Sequence, residues 1–528
     1  MIRLATLLVA LAAAAFSQSA DTVLINGKIL TVDSQSSVRE AIAIRGGRIL
    51  AVGSTADIRK LAGPSTRSID LQDRTVIPGL IDSHLHAIRA ALSFSTEVNW
   101  IGARSLPEAL GRIHEAGRTM KPGSWLIVAG GWNVDQFQER RRPTQTELVA
   151  AAPDNPVYVQ LGYGWAILTP SGLRALNITS DADLPSGGKL EKDAVGKLTG
   201  GITGGQNAII ALFDRLPKPT FDQQLDGTKK FFRELNRLGL TGVVDPGGNN
   251  LLPSDYQALF QVWRQGQMTL RVAYSLCGNN AGAEFEEFKN LTQLLPMGFG
   301  DGMLKFNGLG ERITAAMNNN NRPSATDKEK YAQIAKWAAE RGMSLTMHWA
   351  NDASVGQLLD IFESVNKEVP IKDLRWSIAH LNDASEQSLQ RMKALGVGWT
   401  VQDAMYFGSD QFRQTSGVEA ARRAPPVVTG AKLGVAMGAG TDAHRVASYN
   451  PFTALQWFLD GKTVAGVAIR GPEETPSRAE ALRLYTLGSA WFSFDETQRG
   501  SLEIGKLADL AVLSKDYMTV PVGPDRWH

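Results

Sequence analysis

Short apolar runs alternate with helix-like stretches through the middle of the chain. Such runs predict buried strands, and alternation of strands with helices implies a parallel sheet. Eight units of this kind are typical of an α/β fold of the (β/α)₈ TIM-barrel type. The predicted strands are 75–81, 241–244, 270–276, 303–306, 344–347, 376–379, 397–401 and 434–438, and the clearest predicted helices are 224–238, 327–341 and 385–395.

The two chain ends show a different pattern. Residues 22–32 and 41–52 each predict a β-hairpin, with an Asn-Gly and a Gly-Gly pair at the turns. Residues 500–513 predict a further turn and strand. We therefore expect a small β-sandwich formed from both chain ends.

The predicted domains follow from these two patterns. Residues 21–75 plus 496–528 would form the β-sandwich, and residues 76–495 would form the barrel. The alternation of strands and helices is interrupted once, by a segment at about 100–220 that separates the first two predicted barrel strands. An insertion after a barrel strand lies on the catalytic face, so we expect this one to be able to cover the site.

The first 20 residues predict a signal peptide. Arg3 precedes the apolar run 4–16, which has signal-peptide length and is too short to span a bilayer. Cleavage after Ser17 and cleavage after Ala20 both fit the small residues that follow. We expect an exported protein, periplasmic or extracellular, with no membrane association after cleavage.

Composition limits the partners and the chemistry. A net charge of +2 argues against a nucleic-acid binder, so we expect a small-molecule substrate, while assembly as a homo-oligomer stays open. The single cysteine, Cys277, excludes a disulfide within the chain and a thiolate-rich metal site. Its apolar surroundings favour a buried strand residue over a nucleophile.

Histidines occur at the ends of the predicted strands. The chain has seven; His84 and His86 follow the first strand, and His348 and His380 follow the fifth and sixth. Asp442 follows the eighth. Carboxyl ends of barrel strands meet at one cavity, and residues i and i+2 of a strand face the same side. Imidazole nitrogens with a carboxylate suit a divalent metal, with zinc as the expected ion and one or two ions per chain.

Other polar residues near these strand ends are further candidates. Lys305 lies within the fourth strand, where an ammonium is costly to bury. Its residue type alone favours an ion pair over a carboxylated lysine that ligates metal. His444, Glu311 and Arg312 lie close enough to strand ends to contact a substrate.

At this point the chain resembles a known family. VIPGLIDSHLHA at 76–87 is similar to the first-strand motif of the amidohydrolase superfamily, and LINGKILTVD and GSLEIGKLADLAVL resemble its flanking β-sandwich. The long insertion and GAGTDAHR at 438–445 resemble amidohydrolase family 3, which includes N-substituted formamide deformylases. The resemblance implies a TIM barrel with these metal ligands: His84, His86, a carboxylated Lys305, His348, His380 and Asp442.

Three features depart from the family pattern. Gly164-Trp165 stands where many relatives have Gly-His, which makes Trp165 a candidate substrate contact. The sequence after His348 is Trp-Ala-Asn-Asp rather than the usual Ala-x-Gly-Asp. The chain ends at VGPDRWH, where relatives normally continue with another hairpin of the sandwich.

The expected function is metal-dependent hydrolysis of a non-peptide C–N bond in an amide, formamide or cyclic amide. A metal-activated hydroxide would attack, Asp442 would handle the proton, and His380 or His444 would stabilise the oxyanion. The same site acting on an ester, lactone or carbamate is one alternative. An exported, non-catalytic small-molecule binding protein is an alternative of another class.

Overall fold

The computed structural model describes residues 19–248 and 251–523, which form a mixed α/β fold. No helix among these residues is both long and apolar enough to cross a bilayer. The predicted signal peptide lies outside the described residues except for Ser19 and Ala20. Ala20 is buried and begins the first strand of the fold.

Eight short parallel strands occupy the centre of the molecule. They form two four-stranded sheets, in each of which sequential strands are neighbours. In chain order the central strands are β1 Leu80–Asp82, β2 Leu240–Asp245, β3 Arg271–Leu276, β4 Leu304–Leu309, β5 Thr346–Trp349, β6 Ser377–His380, β7 Gly398–Gln402 and β8 Met437–Gly440.

Backbone contacts link the two sheets at both sides. Leu309 of β4 forms a parallel bridge with Leu345, and its N–H donates to the Ser344 carbonyl at 2.9 Å. At the other side, the Ser83 N–H donates to the Ala439 carbonyl of β8 at 2.9 Å. These are local contacts rather than continuous ladders. The mixed α/β class is therefore confirmed, while a fully closed barrel stays a prediction.

The three predicted helices are confirmed as Phe221–Arg237, Ala325–Glu340 and Glu386–Leu395. The first two begin with capping boxes, in which a Thr or Ser side chain and a residue three positions later satisfy each other's free backbone N–H groups. The other α-helices described are Thr55–Arg59, Ala87–Ser93, Leu106–Thr119, Gln145–Ala151, Pro170–Ala175, Gln206–Phe213, Gln257–Arg264, Glu284–Leu291, Asp352–Glu368, Ala404–Ser416, Val418–Arg422, Val427–Leu433, Pro451–Asp460, Arg478–Arg483 and Ser489–Trp491.

Two further four-stranded sheets contain the chain ends. One has the order Arg48–Gly53, Ala41–Arg45, Ala20–Ile25, Ala62–Asp70, and the other has the order Leu510–Val512, Thr75–Pro78, Lys28–Leu30, Val38–Arg39. Leu24 and Ile42 from the first sheet share one hydrophobic cluster with Ile29 and Val76 from the second. Leu502 joins the same cluster, so both chain ends contribute to it.

The two predicted hairpins have different outcomes. The hairpin at 41–52 is confirmed, with Gly46 and Gly47 at φ +55° and +72° in its turn. The hairpin at 22–32 is wrong, because its two strands pair in different sheets. Asn26, at φ +55°, lies where the chain passes from one sheet to the other.

The first predicted central strand is divided by Gly79. Thr75–Pro78 pairs with Leu510–Val512 in the end sheet, whereas only the part after Gly79 forms β1. A Cβ on Gly79 would lie 2.2 Å from the Thr241 side chain, so the close approach of β2 requires glycine.

The long interval between β1 and β2 contains its own sheet. Its strands are, in spatial order, Lys189–Lys192, Leu198–Thr203, Trp165–Leu168, Val157–Leu161 and Leu126–Val128. This part of the chain contacts the loop after β8. The Gly131 N–H donates to the Arg445 carbonyl at 3.1 Å, and the Arg445 guanidinium donates to the Ala129 carbonyl at 3.0 Å.

Candidate metal centre

Six side chains from the carboxyl ends of central strands meet in one mostly buried cluster. Four are imidazoles and two are carboxylates. The members of this cluster are His84 and His86 after β1, Glu311 after β4, His348 in β5, His380 at the end of β6, and Asp442 after β8. The predicted convergence of the four histidines and Asp442 therefore occurs in the structure.

Glu311 lies at the centre of the cluster. Its Oε2 is 3.2 Å from His84 Nε2 and 3.1 Å from His348 Nδ1, and its Oε1 is 3.3 Å from His86 Nε2. Burial opposes ionisation of this carboxyl, but the surrounding imidazoles hold its pKa well below the usual range. Glu311 is thus a carboxylate whose Oε2 faces His84 and His348 and whose Oε1 faces His86.

Asp442 approaches the same histidines from the opposite sheet. Its Oδ1 is 3.0 Å from His86 Nε2 and 3.7 Å from His84 Nε2. Its backbone N–H donates to the His84 carbonyl at 2.8 Å, which fixes β8 against the end of β1. Burial raises the pKa of Asp442, but the neighbouring histidines outweigh it and lower the pKa.

A backbone carbonyl sets the orientation of the His86 ring. The Gly247 oxygen lies 2.6 Å from His86 Nδ1, so the Nδ1–H donates to it, and Nε2 is the ring nitrogen that faces the carboxylates. Asp245 in turn accepts the Gly247 N–H at 2.8 Å and the Ile88 N–H at 2.7 Å. The end of β2 therefore holds the His86 side chain in place.

Asp82 fixes the backbone of His84. Its Oδ1 accepts the His84 N–H at 2.9 Å, and its Oδ2 accepts the Thr441 hydroxyl at 2.8 Å. Asp82 is fully buried, and that burial raises the pKa of its carboxyl to about 6. Asp82 thus links the first and last central strands directly beneath the cluster.

The donor set fits a divalent metal. Both ring nitrogens of His84 and the Nε2 of His380 are buried without a hydrogen bond to any described residue, which is costly unless something binds them. The candidate ligand atoms of His84, His86 and Asp442 lie within 4.8 Å of one another, as do those of His84, Glu311 and His380. Burial lowers the pKa of His380 to about 4, so its ring is the neutral form that ligates metal.

Lys305 does not join this cluster. Its Nζ lies 2.6 Å from Asp495 Oδ1, and Arg499 pairs with the same carboxylate at 2.8 Å. Burial lowers the pKa of the Lys305 amine. Lys305 is six residues before Glu311, which corresponds to about 20 Å along an extended chain. The structure supports the ion-pair interpretation of Lys305 and corrects its assignment as a metal ligand.

Glu311 and His444 have different surroundings. Glu311, expected to contact substrate, belongs to the cluster itself. His444 Nε2 is 3.4 Å from Glu97 Oε2, and Glu97 also pairs with Arg445 at 3.2 Å. Burial opposes the charge of Glu97, but Arg445 and His444 lower the pKa of this carboxyl to about 2. Burial and the Arg445 charge lower the pKa of His444 to about 4.

Trp165 is buried in the hydrophobic core of the inserted segment. Its indole N–H donates to Glu191 at 3.0 Å, and the Arg142 guanidinium lies 4.7 Å above its ring. The structure therefore does not place Trp165 at the cluster. Tyr163, two residues earlier, instead lines a cavity of about 170 Å³ together with Glu97 and Arg445. Neither Tyr163 nor Glu97 lies in a periodic apolar run or a motif, so no pattern in the sequence pointed to them.

Comparison with known proteins agrees with this geometry. A family model described as the amidohydrolase family matches residues 67–525. An N-substituted formamide deformylase from Arthrobacter pascens is 25% identical, and the match covers 96% of this chain and 96% of that protein.

Two solved structures show the likeness of fold. A metal-dependent hydrolase from Pyrococcus horikoshii superimposes with a TM-score of 0.67 at 22% identity, covering 94% of this chain and 98% of that one. Atrazine chlorohydrolase from Arthrobacter aurescens TC1, complexed with zinc, gives a TM-score of 0.53 at 16% identity, covering 96% and 92%. From the family match and the assembled cluster, the chain belongs to the amidohydrolase family and is a hydrolase that acts on carbon–nitrogen bonds other than peptide bonds.

Proposed function

We propose that this protein hydrolyses an amide, formamide or cyclic amide at the histidine–carboxylate cluster, on a (β/α)₈ scaffold flanked by a β-sandwich. The observation that carries the proposal is the set of buried, unpartnered imidazole nitrogens that face Glu311 and Asp442. The similarity to an N-substituted formamide deformylase supports a C–N bond as the target.

The chain offers two overlapping ligand sets. His84, His86 and Asp442 would hold one divalent ion, and His84, Glu311 and His380 would hold a second, with His348, 3.1 Å from Glu311, as a further ligand. Zinc is the proposed ion because the donors are imidazoles and carboxylates. When bound, the metal supplies a Lewis acid that makes water nucleophilic near neutral pH and polarises the scissile carbonyl.

Asp442 is the proposed general base. Its lowered pKa keeps it ionised at neutral pH, and its carboxylate reaches the middle of the cluster, 3.0 Å from His86 Nε2. It would accept a proton as the water oxygen bonds to the carbonyl carbon. It would then return that proton to the nitrogen as the C–N bond breaks, releasing a carboxylic acid and an amine.

His380 and His444 are the proposed supports for the developing oxyanion. Both rings are buried, and burial contributes to a pKa of about 4 for each, so each is neutral and keeps one N–H to donate. His380 is held from behind, since its backbone N–H donates to Gln402 Oε1 at 2.8 Å and its carbonyl accepts the Trp399 indole N–H at 2.9 Å.

The Asp442→Asn variant tests the role of Asp442. We expect it to retain most of its metal, because the histidines remain, and to lose at least about a hundred-fold in kcat. Asp193→Asn, in an exposed turn of the inserted segment, is the matched control. Elemental analysis and hydrolysis rates measure both. Full activity of Asp442→Asn would remove this residue from the proton path.

A panel of matched amide and ester substrates tests the type of bond. The proposal expects turnover of amides or formamides by the zinc-loaded protein. Turnover confined to esters, lactones or carbamates would favour that alternative. Binding of small molecules that are returned unchanged would favour a binding protein. Catalysis by Cys277 as a nucleophile is not proposed, because burial raises the pKa of its thiol to about 12.

We also propose that the protein is exported and acts outside the cytoplasm on a small molecule. The proposal rests on the pattern of residues 1–20. Fractionation of the producing cells and N-terminal sequencing of the mature chain test it, and recovery of the intact chain from the cytoplasm would contradict it.

A further inference from the structure

The cavity lined by Arg89, Glu97 and Arg445 has both apolar and charged side chains in its wall. Its volume is about 170 Å³. Apolar side chains lining it include Leu92, Ile127, Ile210, Phe213 and Leu251. Polar groups come from the helix Ala87–Ser93, the segment that follows it, the inserted segment and the loop after β8, namely from Arg89, Glu97, Tyr163 and Arg445. A space of this size accommodates a small organic group rather than a single water.

The chain connects this cavity to the cluster in two places. Arg89 lies three residues after His86, on the helix Ala87–Ser93 that begins immediately after this histidine. Arg445 lies three residues after Asp442, in the loop that follows β8. None of the six cluster side chains lines the cavity, but two of its lining residues closely follow cluster members in the chain, and the carboxylates of Asp442 and Glu311 are near enough to act on the Arg89 charge.

The two arginines differ in their partners. Arg445 is paired with Glu97 at 3.2 Å, donates to the Ala129 carbonyl, and lies 4.2 Å from the centre of the Phe213 ring. Arg89 forms no hydrogen bond or ion pair with any residue that the structure describes, and its Nε is fully enclosed. The enclosed Nε–H of Arg89 has no acceptor within the described residues, which is unfavourable, and a bound anion would supply one.

Acidic residues of the lining do not satisfy Arg89. Asp214 is exposed, and Asp255 accepts the Leu252 N–H at 2.7 Å. Burial alone would lower the pKa of the Arg89 guanidinium, but Tyr163 and the carboxylates of Asp442, Glu311 and Asp245 raise it. Arg89 is therefore a charged group close enough to sense the cluster while pairing with none of its members.

We propose that Arg89 binds a carboxylate of the substrate, so that the preferred substrates are amides or formamides that carry a carboxylate and an apolar group. The planar guanidinium forms two parallel hydrogen bonds with a carboxylate, and the apolar walls receive the rest of the molecule. This inference rests on the proposed function, because it names the substrate class of the same site. Water adds across the C–N bond, and the carboxylate bound by Arg89 is unchanged.

The probes are N-formylphenylalanine and N-formylphenylalaninamide, which differ only by a carboxylate and a carboxamide. Formate release by the zinc-loaded protein is measured for both enantiomers of each. We expect kcat/KM for the acid to exceed that for the amide by about ten- to a hundred-fold, the range for a hydrogen bond to a charged group. Equal values for the acid and the amide would overturn the inference.

Substitution of Arg89 separates a binding role from a structural one. Arg89→Met should lower kcat/KM for the acid about ten- to a hundred-fold more than for the amide, mainly through KM, and Arg89→Lys should recover part of the difference. Arg174→Met, on an exposed helix of the inserted segment, is the control. Equal losses for both probes in Arg89→Met would overturn the inference.

Calorimetric binding of N-formylphenylalanine distinguishes failure of this inference from failure of the proposed function. If the wild type hydrolyses neither probe but binds the acid at least ten-fold more tightly than Arg89→Met does, the carboxylate site stands and the proposed function fails for these substrates. If the two proteins bind the acid equally, or neither binds it, the inference fails whatever the hydrolysis results.

Discussion

The two ends of β4 have charged side chains that differ in how fully they are paired. At the amino end, Lys305 is matched by Asp495, which Arg499 also contacts, so that charge is satisfied within the protein. At the carboxyl end, Glu311 is surrounded by more imidazole nitrogens than its two oxygens satisfy, and nitrogens of His84 and His380 stay unpartnered among the described residues. Buried imidazole nitrogens without a partner among the described residues, rather than the presence of charge, mark the end that can hold a metal.

The position along the strand explains this difference. In barrels of parallel strands, the carboxyl ends form the catalytic face and the amino ends contribute to stability. Lys305, near the amino end of β4, would contribute to stability, and Glu311, just beyond its carboxyl end, would contribute to catalysis. Variants at the two ends should therefore separate activity from stability.

The largest expected effect is the loss of activity in Glu311→Gln. The amide keeps the volume of the side chain but removes the negative charge that His84, His86 and His348 face. We expect kcat/KM for an amide substrate to fall at least about a hundred-fold. Glu340→Gln, exposed at the end of a helix, is the control. Activity within ten-fold of the wild type would show that Glu311 is outside the working site.

Lys305→Met should act on stability instead. The change leaves the partly buried Asp495 with the Arg499 ion pair and the Ser493 hydroxyl, so we expect the free energy of unfolding to fall by about 1–3 kcal/mol. Hydrolysis by the metal-loaded variant should stay within about three-fold of the wild type below its lowered Tm. Denaturant titration and initial rates measure the two effects. Unchanged stability with abolished turnover would reverse the assignment.

Glu97→Gln tests the charged contacts beside the cluster through their pH dependence. The pKa of Glu97 is about 2 in the fold against a usual value near 4.5, so its stabilisation is present above pH 4.5 and is lost as the pH falls toward 2. The shift corresponds to about 3 kcal/mol at most. Between pH 5 and 3, metal-depleted wild type should lose more stability than metal-depleted Glu97→Gln. Parallel pH profiles would count against the contact.

The smallest expected effect is that of Trp165→Phe. This change removes the hydrogen bond to Glu191 and leaves an aromatic ring beneath Arg142, so we expect a loss of about 1 kcal/mol or less. Its kcat/KM should stay within two-fold of the wild type, because Trp165 packs in the core of the inserted segment. Thermal unfolding and initial rates check both statements, and a tenfold fall in kcat/KM would restore Trp165 as a substrate contact.

Much of the metal centre could be predicted, because hydrophobic periodicity locates the strands and the strand ends locate the side chains that follow them. The strand ends were placed closely enough for His84, His86, His348, His380 and Asp442 to be expected together. The register at the end of β4 could not be read in this way. Gly308 has φ +100°, and a Cβ on Gly310 would lie 1.8 Å from the Pro246 carbonyl, so tertiary packing decides where Glu311 points. An apolar run cannot reveal that path.

The ends of the chain show the same limit. Asn26-Gly27 has the composition of a hairpin turn, but the strands on either side belong to different sheets. Leu24 of one strand and Ile29 of the other meet in a hydrophobic cluster that both sheets share. Local turn chemistry fixes the reversal of a chain and not the partner of each strand. Tyr163 and Trp165 differ in the same way, because their places relative to the cavity depend on how the inserted sheet packs.

Metal content per chain of three proteins tests the central claim most directly. Wild type, Lys305→Met and Glu311→Gln are purified with bicarbonate and without chelator, and divalent ions are counted by elemental analysis, with circular dichroism as a check of folding. The account predicts equal metal in the wild type and Lys305→Met, and at least one ion fewer in Glu311→Gln if two are bound, or weaker retention if one is bound. Loss of metal from Lys305→Met with full metal in Glu311→Gln would contradict it.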